Sequence, residues 1–312
     1  MYKVSYINSI YQYIRSARYI GELFFCDTKS DFIKRIALKE NKEIEYKLFD
    51  ETKSLVGPHN FRIYNDIIIT ANNYSDSISI IKYLGNQDII NINVSREPKD
   101  ISLLNNKVYV ICNDINAVDI IDMDSSERII TVKVGSYPHS IDVDIEKKRV
   151  YIASFLSGSV EVLDCNSNTI MHSIRSFLYP IKVLLSKNNQ YVYVLESNVE
   201  SGEKGYITFI NKENYNILCR ICVGLLPLDC VEDDKYIYVS NYGDSTISVV
   251  SIEQKCEVLK IDVRGAPKAI SKYCNSIFYS DYDSGNIYEV SLSNKIIKKI
   301  ASGKEPNAII VI

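Results

Sequence analysis

Residues 236–270 read YIYVSNYGDSTISVVSIEQKCEVLKIDVRGAPKAI. Two runs of alternating apolar and polar residues are separated by a Tyr-Gly-Asp-Ser turn. A third run, Val258-Leu-Lys-Ile-Asp-Val263, then leads into a Gly265-Ala-Pro267 corner. Alternation of period two marks strands, and the Gly and Pro positions mark turns. Most of the remaining chain consists of copies of this unit.

The prolines give its period. They stand at 58, 98, 138, 180, 227, 267 and 306, so successive spacings are 40, 40, 42, 47, 40 and 39 residues. Glycine precedes most of them closely, as in Gly135-Ser-Tyr-Pro138, Gly224-Leu-Leu-Pro227 and Gly303-Lys-Glu-Pro306. Proline has no N–H to give to a ladder, which suits the corner before a strand. A period of about 40 residues with four strand-like runs is that of a propeller blade. The long spacing of 47 comes from an insertion at 197–205, of the kind that marks a binding loop in a repeat array.

The second strands of the units align as Leu23–Cys26, Ile69–Asn72, Tyr109–Cys112, Tyr151–Ser154, Tyr193–Glu196, Tyr238–Asn241 and Phe278–Asp281. Six complete units lie between Pro58 and Pro306. After Pro306 only Asn-Ala-Ile-Ile-Val-Ile remains, enough for one inner strand, while residues 20–57 supply three strands. Joining the two ends makes a seventh blade and removes the open sheet edges. The expectation is therefore an all-β, seven-bladed β-propeller of four-stranded blades over residues 20–312, closed by the C-terminal inner strand. Residues 1–19 would form a separate N-terminal arm. A competing layout uses Tyr13–Ala17 as the missing inner strand and leaves the apolar tail unpaired, which exposes an aggregation-prone strand.

Composition narrows the function classes. Net charge is −3, with 36 basic and 39 acidic residues, and no basic run interleaved with aromatics suggests nucleic acid. No apolar run is long enough for a membrane span, and the N-terminus lacks a signal-peptide core, so a cytoplasmic location is the expectation. Eight scattered cysteines then read as free thiols. Cys219-Arg-Ile-Cys222 has the C-x-x-C spacing but lies in an outer strand, where residues three apart point to opposite faces. The chain has 24 tyrosines and no tryptophan, which argues against the WD40 and kelch types.

The blocks Tyr238–Val250 with Gly265-Ala-Pro267, and Tyr109-Val-Ile-Cys112 with Val134–His139, resemble the YVTN β-propeller repeat. The resemblance covers about residues 20–312 and is to the YncE-like group of seven-bladed propellers, related to surface-layer repeats and lactonase-like propellers. It implies the fold. It implies no catalytic residues, because no lactonase motif aligns residue by residue. It also implies that the corner before each inner strand and the turn after each second strand open on one face, where function in rigid scaffolds concentrates.

The candidate ligand-binding residues are accordingly those after the prolines: His59, Lys99, Asp100, His139, Lys182, Asp229, Lys268 and Asn307. His59 and His139 could serve as acid–base groups or metal ligands, since neutral imidazole does both. Without a clear carboxylate third ligand the metal signal is weak, and no cofactor is expected. The alternative is a wet turn that merely tolerates His and Lys. The polar residues ending the second strands are expected to bond their own turn backbone. The expected function is a binding or interaction scaffold for an unidentified protein or small-molecule ligand. The alternatives are a lactonase-like small-molecule hydrolase at the channel mouth and a structural repeat in a larger assembly.

Overall fold

The computed structural model describes residues 21–49, 55–84 and 88–312. The proposed arm at 1–19, and the competing strand at Tyr13–Ala17, lie outside them.

Each repeat is a four-stranded antiparallel sheet, and there are seven among the described residues. The inner strands are Pro58–Tyr64, Pro98–Leu104, Pro138–Asp144, Pro180–Leu185, Pro227–Glu232, Pro267–Tyr273 and Pro306–Val311, each opening on its proline. They touch one another in a closed cycle around a central channel. We number the blades so that blade 2 begins at Pro58 and blade 7 at Pro267. Blade 1 joins the two ends of the chain. Its inner strand, Pro306–Val311, pairs with Glu22–Asp27, with Leu23 opposite Val311 and Phe25 opposite Ile309. The apolar tail is thus a buried strand. Backbone bonds from Gly21 and Glu22 to Ile312 O finish the seam.

The core is divided among the blade–blade interfaces. Seven apolar clusters each combine side chains of two neighbouring blades. At the 6–7 interface Tyr238, Ile247 and Ile261 meet Ile270, Ile277 and Val290. Both faces of every sheet are covered, so the second strands are buried nearly throughout, as in the five consecutive buried residues that end at Asn72, at Cys112 and at Ser154. A blade alone would leave both faces wet, which is why stability belongs to the ring.

The Gly-x-x-Pro signature has a local cause. In blades 5, 6 and 7 the polar residue ending the second strand reaches the corner that opens its own blade. Asn241 Oδ1 accepts from Gly224 N at 3.1 Å, Asp281 Oδ1 from Ala266 N at 2.8 Å, and Glu196 Oε2 from Leu178 N at 2.7 Å. A β-carbon on Gly224 would stand 2.4 Å from the Asn241 side chain, and one on Gly265 2.1 Å from Asp281 Oδ2. These side chains also bond hydroxyls of the third strand, Asn241 to Thr246 and Ser248, and Asn72 to Ser77 and Ser79. They brace the corner and the third strand more than the turn that follows them.

Candidate site at the channel mouth

Corners and second-to-third-strand turns do share one face. Equivalent backbone bonds join them in every blade: Thr28 N to Glu305 O, Asn73 N to Gly57 O, Asn113 N to Glu97 O, Phe155 N to Tyr137 O, Ser197 N to Tyr179 O, Tyr242 N to Leu226 O and Tyr282 N to Ala266 O. This face surrounds one mouth of the channel.

At the start of every inner strand the register shifts, so that the residue after the proline is an unpaired bulge. A bulge re-aims its side chain and bends the strand. In blades 7, 1, 2, 3 and 4 this slot holds Lys268, Asn307, His59, Lys99 and His139; in blades 5 and 6 it holds Ile181 and Leu228. Polar groups occupy five consecutive blades and face an apolar sector of two.

Several of these side chains tie one blade to the next. His59 Nδ1 lies 3.0 Å from Lys99 O, and His139 Nδ1 2.9 Å from Ile181 O. A carbonyl only accepts, so Nδ1 carries the proton in both rings and Nε2 is left without one. The Lys268 ammonium donates to Asn307 Oδ1 and sits 4.3 Å from the centre of the Tyr282 ring. Burial holds both imidazoles below their ordinary range, with the Lys99 charge adding to it; His139 falls to about 4 and His59 well below its usual value. Burial likewise lowers Lys268 to about 8, against the opposing pull of Glu305, and lowers Lys99 as well.

One step deeper the carboxylates are already engaged. Asp100 pairs with Arg62 at 2.9 Å, accepts from Asn60 Nδ2, and accepts the backbone N–H of Ile101 and of Ile141 in the next blade. Asp229 pairs with Lys182 at 2.8 Å and accepts from Cys230 N and Ile270 N. Asp142, another step down, accepts from Val143 N and Leu185 N, yet burial raises its pKa. The residues named from sequence therefore separate into two groups. His59, Lys99, His139, Lys268 and Asn307 line the mouth, while Asp100, Lys182 and Asp229 form an inter-blade belt below it. Neither imidazole hydrogen-bonds to Asp100 among the described residues. Arg62 and Asp142 belong to the belt and were not picked out from sequence. Their signal was the same period of two, two residues beyond the slot that holds Asn60 and Ser140.

The rim is aromatic and partly strained. Phe155 stands 5.1 Å from Tyr179, 5.9 Å from Tyr137 and 6.4 Å from the His139 ring, centre to centre. Tyr242 packs on Tyr282 across from them at 6.2 Å. Tyr74, Tyr137, Leu156, Leu178 and Tyr282 are exposed on this face. Tyr137 and Tyr179, each before a proline, have φ of 57° and 53°. Left-handed backbone costs a bulky residue on the order of 1–2 kcal/mol, and such strain collects at working surfaces.

No protein-family model matches the sequence, and no curated protein sequence matches it. Solved structures do. The chain is similar to a functionally unknown protein from Desulfotomaculum acetoxidans, with 12% identity and a TM-score of 0.79, over 93% of this chain and 98% of that one. It is similar to Kuenenia stuttgartiensis hydrazine synthase, with 14% identity and a TM-score of 0.75, over 84% and 93%. Apo AztD from Citrobacter koseri gives 11% identity and a TM-score of 0.66, over 93% and 97%. What they share with this chain is the propeller.

Other chemistry is sparse among the described residues. No three His, Cys, Asp or Glu side chains gather as a metal-binding group. All eight cysteines are free thiols. No helix is long and apolar enough to cross a membrane. An open cleft of about 870 Å³ lies on the opposite face, between blades 6 and 7, lined by Asp233, Tyr236, Tyr238, Leu259, Lys272 and Cys274 among others.

Proposed function

We propose that the protein is a binding scaffold of the YVTN-repeat, YncE-like kind, whose ligand or protein partner docks on the mouth face. The observation that carries this reading is the division of labour among the charged groups. The belt carboxylates Asp100 and Asp229 each hold a cation and two backbone N–H groups. A general base needs a free lone pair within reach of a substrate proton, and these acids offer little. The face instead exposes aromatic rings, which interfaces favour, around the half-buried Lys99 and Lys268. The insertion at 197–205 begins on the same face, at Ser197 after the second strand of blade 5, and fits a partner-contacting loop.

The test is a screen of small molecules and peptides by thermal shift and chemical-shift perturbation on the full chain. Binders should perturb Tyr74, Tyr137 or Tyr282 and should weaken in Lys99→Gln, Lys268→Gln, but not in Asp233→Asn on the far face. Binders that map only to the far cleft would overturn the reading. So would multiple turnover of a lactone that is lost in His59→Asn or His139→Asn.

A further inference from the structure

We propose that the mouth binds a small amphiphilic anion: a phosphate ester or carboxylate whose charged end lies between Lys99 and Lys268 and whose apolar body rests on Phe155, Ile181 and Leu228. The proposal rests on the docking face described above and names its ligand class.

Three observations carry it. First, charge is balanced in the belt but not at the mouth. Arg62 and Lys182 each have a carboxylate within 2.9 Å. The Lys99 ammonium has neither a hydrogen bond nor an ion pair among the described residues, and the Lys268 ammonium bonds only the neutral amide of Asn307. The acids near them are otherwise placed. Glu305 pairs with Lys29 at 3.2 Å, Glu97 is exposed on the rim, Asp100 is held by Arg62, and the Cys26 thiol is buried and pushed up to about 12. The two ammonium groups thus repel one another across the opening, with no carboxylate paired to either and two neutral imidazoles beside them. A dianion there would relieve that repulsion, in a setting where partial burial strengthens the attraction.

Second, the cationic arc faces an apolar one. Ile181 belongs to the apolar cluster at the 5–6 interface, and Phe155 and Leu228 pack against it. A bare inorganic anion would use one half of the mouth and leave the other half wet. A ligand with an apolar body uses both, and the aliphatic sector adds affinity in proportion to the area it covers.

Third, the arc is fixed in place apart from the Lys99 ammonium. His59 and His139 are each tied to the next blade, and Lys268 is held by Asn307 and by the Tyr282 ring. Binding therefore orders few side chains, which keeps its entropic cost low. The groups facing Lys268 are Lys99, Glu305, Cys26, the Tyr282 ring and, from blades 2 and 4, His59 and His139. An anion beside them raises the ammonium's affinity for its proton, so binding near pH 8 takes up protons.

The experiment is isothermal titration of the full chain with inorganic phosphate, phenyl phosphate, phenylacetate and 2-phenylethylamine, in two buffers of different ionisation heat. Expected are at least tenfold tighter binding of phenyl phosphate than of phosphate, no binding of the amine, net proton uptake at pH 8, and weakening as sodium chloride rises. Phenylacetate against phenyl phosphate separates the carboxylate from the phosphate form of the ligand. Lys99→Gln and Lys268→Gln should each weaken phenyl phosphate tenfold or more, and Leu228→Gln should remove its advantage over phosphate. Salt-independent binding by the wild type, or unchanged affinity in a folded Lys99→Gln, Lys268→Gln protein, overturns the proposal. If instead 2-phenylethylamine or uncharged compounds bind and shift Ile181, Leu228 and Tyr282 resonances, the anion class falls while the docking face stands. If every binder shifts only residues of the far cleft, both fall.

Discussion

The Lys212 ammonium lies 2.8 Å from the Asp144 carboxylate, and both side chains are only 1% exposed. The pair joins the end of the blade 4 inner strand to the third-strand turn of blade 5, on the face away from the mouth. Lys212 also donates to Asn189, and Asp144 accepts from Lys147 N.

Removing one partner should be costly, because the other is left charged and buried. Asp144→Ala or Lys212→Ala is expected to lose roughly 3–5 kcal/mol. The apolar double replacement Asp144→Leu, Lys212→Met should recover most of that loss, since a buried ion pair adds little over well-packed apolar groups. Urea unfolding of the four proteins measures both effects. A single-variant loss below about 1 kcal/mol would show that water reaches the pair.

Gly265→Ala tests the corner. Its φ of 69° suits glycine, and an added β-carbon would meet Asp281 Oδ2 at 2.1 Å. Backbone strain of about 1–2 kcal/mol adds to loss of the bonds Asp281 makes to Ala266 N and Ser284. The expected result is a clear fall in thermal midpoint, partly restored by Asp281→Ala in the same chain. A Gly265→Ala protein as stable as the wild type would mean that the corner relaxes freely.

The ring could be read from sequence because its signals are local and repeated. Seven prolines mark seven corners, and the short tail Ile309-Ile-Val-Ile312 had no partner except the three-stranded N-terminal unit. The mouth was legible only in part. Adjacent strand residues normally point to opposite faces, so nothing in the pairs Lys99-Asp100 or Leu228-Asp229 shows that the first belongs to the mouth and the second to a belt. The bulge after each proline makes that division, and it depends on register, not residue type. Arg62 and Asp142 were missed because their partners lie about 40 residues away, in neighbouring blades.

Acid should act on the mouth histidines with a definite sign. His139 titrates near 6.5 when unfolded and at about 4 when folded, chiefly through burial and then through the Lys99 charge. Between those values the unfolded chain holds a proton that the folded chain does not. Stability is therefore fully present above about pH 6.5, falls as pH drops toward 4, and is flat for this group below that. His139→Asn keeps a donor to Ile181 O and removes the titration. The variant should lose less stability than the wild type between pH 7 and 4.5 in urea midpoints. Parallel losses in the two proteins would mean that His139 is protonated in the fold.

Lys268 offers the same kind of reading at higher pH. An ordinary lysine is deprotonated near 10.4, whereas burial brings Lys268 to about 8, with Glu305 resisting and the Lys99 charge assisting. At pH 8 about half of its amines should be neutral and nucleophilic, against less than about one in a hundred for an ordinary lysine. Trace acetylation followed by peptide mass spectrometry should show Lys268 reacting along a curve centred near pH 8. Lys99→Gln should move the centre upward by removing a neighbouring charge, while Glu305→Gln should move it downward by removing the opposing one. Saturating phenyl phosphate should move it upward too and slow the reaction at pH 8. A curve still rising at pH 10, or one indifferent to both substitutions, would mean that the ammonium is solvated and that the mouth lacks the uncompensated charge on which its affinity for anions depends.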